Sequence, residues 1–530
     1  MYQLWSNDWI PVRQAQGPSR RSLLDVLAWA HSIRRLDPTD AVVEVSLFRL
    51  LLAIVIDVQG PQSFEQWNHL WIRGRFEPSL YERYAAQVAS RFDLLDPSAP
   101  FYQVGDLAAA SGEVKSGLLL IPEAASGNNV PLFSVATEAR VPRIPIAEAA
   151  CRLVALQATD VAGIKTGAVG DPGMSAGKTT GNPVGPLGQI GVTIPMGRNL
   201  FESLMLSIPP SGFVPEWDAP AWRRPVATAA WETRPSDGML DLLTWQARRV
   251  RLIADDDANP TSVVGIVVAA GDRLEGIDPL HEPHTAWQAA DAAHRRMSQR
   301  PVRLQSGKTS WQGMDSLLAV DNVGAWALAW AGQRRSAIGA RYPLDVRMVG
   351  VVYGNQSAVI EHVVSDSLPM SVLALGEGED AEVIRRELLG ASTKADSIRK
   401  ALNSLSNNLR NACGGASLPW NKGSNPGDSF VAAIDSVTRR FVADCRDHPE
   451  EVKEHVLRWE QLVRDVALSI ALPLIRQVPP RAFSGGPADP GSKYPPMNQA
   501  RAEGLFRRDL NKTLAMAFDH ERDEMRNDND

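Results

Sequence analysis

Cysteine is scarce in this chain: three residues in 530 (Cys151, Cys413, Cys445), far apart and with no C-x-x-C pair. That argues against a disulfide scaffold and a cysteine-rich zinc site, and it fits a reducing compartment, the cytoplasm. Long apolar runs are missing too. The longest, Val42 to Ile56, is interrupted by Glu44 and Arg49, so a buried helix is expected there and not a bilayer span. The opening Met1-Tyr2-Gln3-Leu4-Trp5 has neither a basic flank nor an apolar core, and no signal peptide is expected. Nor is there an excess of positive charge: the net charge is −6, which gives no global sign of nucleic-acid binding.

What is present is globular composition, 44% apolar and 22% charged, on a chain too long for one ordinary core. The expected fold class is α+β. A large mixed α/β domain over residues 1–368 is followed by a helical domain over 369–530. Extended and 3.6-residue apolar patterns predict a strand pair from Leu4 to Val12 and a helix from Ser22 to Ile33. Thr39 is the expected N-cap of the apolar helix that runs to about Asp57. Amphipathic helices follow near Phe64–Ile72 and Leu80–Phe92, then short strands and turns from Pro100 to Pro145, and a helix over Ala147–Thr159. Strands are expected at Val263–Ala269 and Val346–Tyr353. Beyond Pro369 helical periodicity dominates, over Ala381–Leu389, Lys394–Ala412, Ser429–Asp444, Pro449–Ile475 and Ala500–Phe518. A Pro/Gly-rich interval at Pro479–Pro496 separates the last two, and an antiparallel four-helix bundle is the economical arrangement.

The compositional outlier is Gly163 to Gly197, where glycine recurs ten times among four prolines. Both residue types oppose helices and central strands, so a long loop is expected, with few apolar anchors to order it. It contains two catalytic look-alikes. Gly177-Lys178-Thr179 resembles the end of a phosphate-binding loop, but Pro172 stands where the first glycine belongs, and Gly181-Asn182-Pro183 stops a following helix. Gly173-Met174-Ser175-Ala176-Gly177 spells G-x-S-x-G without the strand and helix of a nucleophile elbow. A nucleotide-hydrolysing or serine enzyme built on residues 170–180 is therefore the rival reading. His281-Glu282-Pro283-His284 lacks metal-site spacing, because Pro283 blocks the helix that would align both imidazoles, and a surface turn is expected. No catalytic residue, metal or cofactor is expected. Between His294 and Arg347, nine Lys/Arg face three acids, a local balance that could meet phosphates. Bare glycine backbone also suits a minor groove only ~6 Å wide, with Lys165 and Lys178 as phosphate contacts.

Several segments, read in order, carry a resemblance. They are Asn7-Asp8-Trp9-Ile10-Pro11-Val12, Pro100-Phe101-Tyr102-Gln103, Leu118 to Glu123 with Ser126-Gly127-Asn128-Asn129, Ala162 to Pro172, and Gly354-Asn355-Gln356-Ser357-Ala358. Each is short, but their order and spacing resemble the large-subunit (CasA) family of type I-E CRISPR Cascade complexes. The helical last third suits that family's four-helix bundle. The resemblance implies a non-catalytic protein that reads the protospacer-adjacent motif in double-stranded target DNA, starts R-loop formation and helps recruit a helicase-nuclease. It further implies that Gly163, Lys165, Thr166, Gly167, Gly170, Gly177 and Lys178 approach the motif through the minor groove. Asn355, Gln356 and Ser357 would wedge under the first base pair. Asn128, Asn129, Leu132 and Phe133 would contact the guide RNA (crRNA) 5′ handle. The implied partners are that RNA, the helicase-nuclease, and the backbone, handle-binding and small helical subunits. Two features depart from the family pattern. The minor-groove lysine is absent from Val263–Leu274, leaving Arg273 as the nearest cation, and so is the cysteine cluster of some relatives.

Overall fold

A computed structural model describes residues 1–60, 63–121, 143–289, 299–318, 323–416, 418, 425–485 and 496–520. It divides into two compact units. The first comprises Met1–Lys308, Ala319–Ala337 and Leu344–Ser367; the second comprises Thr309–Leu318, Ile338–Pro343 and Leu368–Asp530. No helix among the described residues is long and apolar enough to cross a membrane.

In the first unit, the N-terminal strand pair is Ile10–Gln14 with Gly17–Arg21, turning on Gly17 at φ +118°. It starts later than expected because Leu4 and Trp5 are buried in turns and not in a strand. The helix after it spans Leu23–Ala28, capped by the Ser22 hydroxyl, and gives way to a 3₁₀ turn at Ala30–Ser32. The apolar helix spans Ala41–Gln59. Asp40, and not Thr39, is its cap, accepting the Val42 N–H at 2.8 Å, and Gly60 at φ +72° ends it. Every residue from Val45 to Ile56 is buried, as a helix apolar on all sides requires.

That burial carries Arg49 into the core, where an unpaired guanidinium would be prohibitive. Glu282 answers it with two hydrogen bonds, at 2.7 and 2.8 Å. His284 lies beside them, Nδ1 3.3 Å from Arg49 and Nε2 3.2 Å from the Ser207 hydroxyl. The expected surface turn at His281–His284 is thus corrected: Glu282 is 1% exposed and His284 0%, because the buried helix needs its counter-ion.

The main sheet runs in the order Arg248–Ala254, Ser262–Ala270, Gly163–Thr166, Lys178–Asn182, with Lys115–Ser116 and Ile144–Pro145 also on Ser262–Ala270. A second sheet holds Ile360–Pro369, Asp345–Tyr353 and Gly191–Met196. Three strands therefore lie inside the segment expected to be one long loop. Its glycines fall at turns and irregularities, with φ positive at Gly163, Gly170, Gly177 and Gly181. The strands between use Ile164, Thr166, Thr179, Thr180, Val192, Thr193 and Ile194, β-branched residues that suit a pleated surface.

Among the described residues, the second unit holds four long helices: Glu379–Ala412, Pro426–Asp447, Val452–Arg476 and Gln499–Thr513. The first packs against the other three. Two helices were expected where Glu379–Ala412 is continuous. Gly390 costs about 1 kcal/mol relative to alanine, but the buried stripe Ile384, Leu388, Ala391, Ala395, Ile398 runs on across it. Trp311, from the segment Thr309–Leu318, is buried in the same unit and donates Nε1–H to Asp435 at 2.9 Å.

Candidate nucleic-acid interface

Strands Gly163–Thr166 and Lys178–Asn182 form an antiparallel hairpin whose connection, 167–177, is built and not slack. At its tip Ser175 and Lys178 exchange both backbone hydrogen bonds, at 2.8 and 3.1 Å. Ala176 at φ +49° and Gly177 at φ +73° complete the type I′ turn such a two-residue tip demands. Beneath it, Asp171 is a hub. One carboxylate oxygen accepts the Gly173 N–H at 2.8 Å and the Trp231 indole N–H at 2.7 Å, and the other accepts the Thr179 hydroxyl. Gly173 lies so close to Trp231 that a Cβ would sit 2.3 Å from the ring. Gly167 is enclosed as well, its absent Cβ 2.6 Å from Met174. The expected lack of apolar anchors is thus corrected by Trp231 and Met174. Ile164 (63%), Val169 (64%), Gly170, Gly177 and Lys178 face outward.

The catalytic look-alikes take shapes unlike their templates. A strand does precede the turn, but another strand, and not a helix, begins at Lys178, so no helix N-terminus aims at a phosphate. Ser175 sits in a hairpin turn with no strained elbow. A Ser–His pair does occur elsewhere, Ser207 with His284. Both are 0% exposed, the outer imidazole nitrogen faces Arg49 and not a carboxylate, and burial together with Arg49 holds the imidazole well below its ordinary pKa.

Lys165 does not fit a phosphate contact. Its ammonium turns inward to Asp160, at 2.6 Å, and to the Val161 carbonyl, at 2.9 Å. Arg248 joins the same carboxylate and also donates to the Val161 and Pro183 carbonyls, at 2.9 and 2.7 Å. These groups close the C-terminus of helix Ile146–Thr159, whose last carbonyls have no partners within the helix. The Tyr353 hydroxyl takes the Thr159 carbonyl at 2.6 Å, and the Gly185 N–H takes that of Asp160 at 3.0 Å. Burial alone would raise the Asp160 carboxyl, but the Lys165 and Arg248 charges outweigh it and hold it below its ordinary range. Burial lowers Lys165 more than Asp160 raises it.

Asn355–Ser357 form the expected hairpin tip, between strands Asp345–Tyr353 and Ile360–Pro369. Gln356 and Ser357 both have φ +54°, and Asn355 and Gln356 are exposed. The tip is tied to the other hairpin directly: the Ala162 N–H, one residue before Gly163, donates to the Ser357 carbonyl at 2.9 Å. Arg273 lies at the glycine hairpin's far strand, 3.9 Å over the Trp231 ring and donating to the Thr180 carbonyl at 2.5 Å. Among the described residues, the run from His294 to Arg347 is no continuous basic face. Arg334 is buried over Trp67 and donates to the Met205, Leu206 and Ile208 carbonyls, and Arg347 pairs with Glu44. The handle candidates Asn128, Asn129, Leu132 and Phe133 lie outside the described residues. Sequence reasoning missed Asp160, Asp171, Trp231, Arg248 and Tyr353. Only Asp171 carried a local signal, the turn-forming Asp-Pro-Gly.

The sequence profile described as CRISPR-associated protein Cse1 matches residues 3–470. The chain belongs to the Cse1 family. Cse1 from Thermobifida fusca shares 30% identity and superposes with a TM-score of 0.85, over 97% of this chain and 98% of that one. Cse1 from Acidimicrobium ferrooxidans shares 26%, with a TM-score of 0.82 over the same shares. CasA/Cse1 from Thermus thermophilus is 29% identical over 326 residues, and that alignment spans 60% of this chain and 60% of the relative's length. A chain of a CRISPR RNA-guided surveillance complex has the same fold, at 18% identity and a TM-score of 0.73. The Cse1 fold, mixed α/β followed by a helical region, is the one expected from the sequence.

Proposed function

We propose that this chain is the non-catalytic large subunit of a type I-E CRISPR surveillance complex, reading the protospacer-adjacent motif in duplex DNA and starting strand separation. What carries the reading is the hydrogen bond from Ala162 to Ser357. It joins the two elements that family resemblance marks for DNA, one for reading and one for opening. The turn at Gly170–Lys178 offers bare backbone to the minor groove, where readout is largely A·T against G·C and several motifs are tolerated. Lys178, exposed and without an ion pair among the described residues, supplies a phosphate contact. Lys165 is left out of that interface because its charge is committed to Asp160. Asn355 and Gln356 fill the space a displaced base pair leaves, offsetting part of an unstacking cost of a few kcal/mol per step. Sequence beyond the motif is read by guide pairing. The crRNA 5′ handle, the other Cascade subunits and the helicase-nuclease are the proposed partners.

The test is R-loop formation on linear duplexes by the assembled complex. Asn355→Ala with Gln356→Ala should slow opening; undiminished opening overturns the wedge. Turnover of a nucleotide or ester by the isolated chain, lost in Lys178→Ala or Ser175→Ala, would instead favour an enzyme.

A further inference from the structure

We infer that the segment Thr159–Ala162 is a positioning joint that sets the wedge tip relative to the glycine turn, with Tyr353 as its specific positioning residue. The inference rests on the functional reading above and deepens it. Within four residues the chain ends a helix and starts the glycine hairpin, and the Thr159 and Val161 carbonyls, the Asp160 carboxylate and the Ala162 N–H are each taken by one of the two DNA elements or the strand beneath. Thr159 receives the Tyr353 hydroxyl from the last residue of the strand leading to the wedge. Ala162 donates to Ser357 inside the wedge tip. Asp160 holds Lys165, from the first strand of the glycine hairpin, and Arg248, from the main sheet. The wedge is thus gripped at two points, before and within its tip, by the residues from which the glycine hairpin springs.

The Tyr353 ring is confined as well as bonded. Gly188 lies so close that a Cβ there would stand 2.2 Å from the hydroxyl and 2.8 Å from Cζ. Gly185 passes Ala158 with no room for a side chain, its absent Cβ 2.4 Å from that carbonyl oxygen. Gly188 thus confines the ring, while the close pass of Gly185 holds the same loop against the helix end. A wedge must push against something when a base pair resists. The closed helix end, with its largely buried carboxylate and two cations, is that support.

Tyr353→Phe keeps the ring and removes one neutral hydrogen bond, so it leaves no buried charge unpaired. In the assembled complex it should slow R-loop opening about three- to tenfold, the worth of one such bond, with motif-dependent duplex binding unchanged. Combined with Gln356→Ala it should add little to that variant's own defect, since both act on one step. Gly188→Ala, which displaces the ring, should reproduce the same split between opening and binding. Opening at the wild-type rate in both Tyr353→Phe and Gly188→Ala, while Gln356→Ala remains slow, overturns the joint and spares the wedge. Equal losses of binding and opening, tracking a fall in melting temperature, overturn it in favour of a purely structural role. Wild-type opening in Gln356→Ala itself overturns the functional reading beneath it.

Discussion

At the scale of single residues, the glycine turn separates positions that tolerate a side chain from those that do not. Gly167 is enclosed by Met174 and Gly177, so aspartate there would break the turn and report nothing about DNA. Gly177 has open space around its missing Cβ and a φ that asparagine and aspartate accept. Gly177→Asp should therefore lower motif-dependent binding by roughly tenfold or more, since like-charge repulsion adds to filling the groove, while Gly177→Asn, of the same shape without the charge, should lower it less. Filter binding of the two complexes on matched duplexes separates charge from shape. Lys178→Ala should weaken binding evenly across sequences and reduce the salt slope by about 1. Legibility at this scale was uneven. Lys165 and Lys178 look alike in sequence, yet one is drawn inward by the Asp160 carboxylate and the Val161 carbonyl, and the other stays in solvent.

At the scale of elements, the apolar helix Ala41–Gln59 was legible from its composition, but the partner of its one arginine was not. Glu282 lies 233 positions away in the chain, a separation no local pattern encodes. Glu282→Gln should cost about 3–5 kcal/mol in urea unfolding, because it strands the buried Arg49; Arg49→Met with Glu282→Leu should cost much less. The neighbouring imidazole adds a pH dependence. His284 is held well below its ordinary pKa, so between pH 6.5 and that lowered value the unfolded chain binds a proton the folded chain refuses. Stability is then full above about pH 6.5 and declines as pH falls, and His284→Asn should flatten that decline in unfolding midpoints from pH 8 to 5. The Asp160 carboxylate acts lower: its contribution is present above about pH 4 and is lost on further acidification. The glycine segment was the least legible element, since its abundant glycine hid short β-branched strands between turns.

At the scale of the whole molecule, a mixed first part and a helical last part could be read from periodicity alone. The interleaving of the two units could not, because Thr309–Leu318 and Ile338–Pro343 carry no long helical pattern of their own. One consequence concerns fragments. A piece starting at Leu368 lacks Trp311, a 1% exposed side chain of the second unit, so it should be less stable than the helices suggest. Trp311→Ala in the full chain should lower that unit's unfolding free energy by about 3–5 kcal/mol, followed by helical signal in denaturant. A second consequence concerns time. Gly191–Met196 is buried along all but its last residue, and its partner Asp345–Tyr353 leaves the ribosome about 150 residues later, a delay of roughly ten to thirty seconds at ordinary elongation rates. Until then the nascent chain carries an unpaired hydrophobic edge, and the second sheet closes only after Pro369 of the 530-residue chain is made and the strands flanking the wedge emerge.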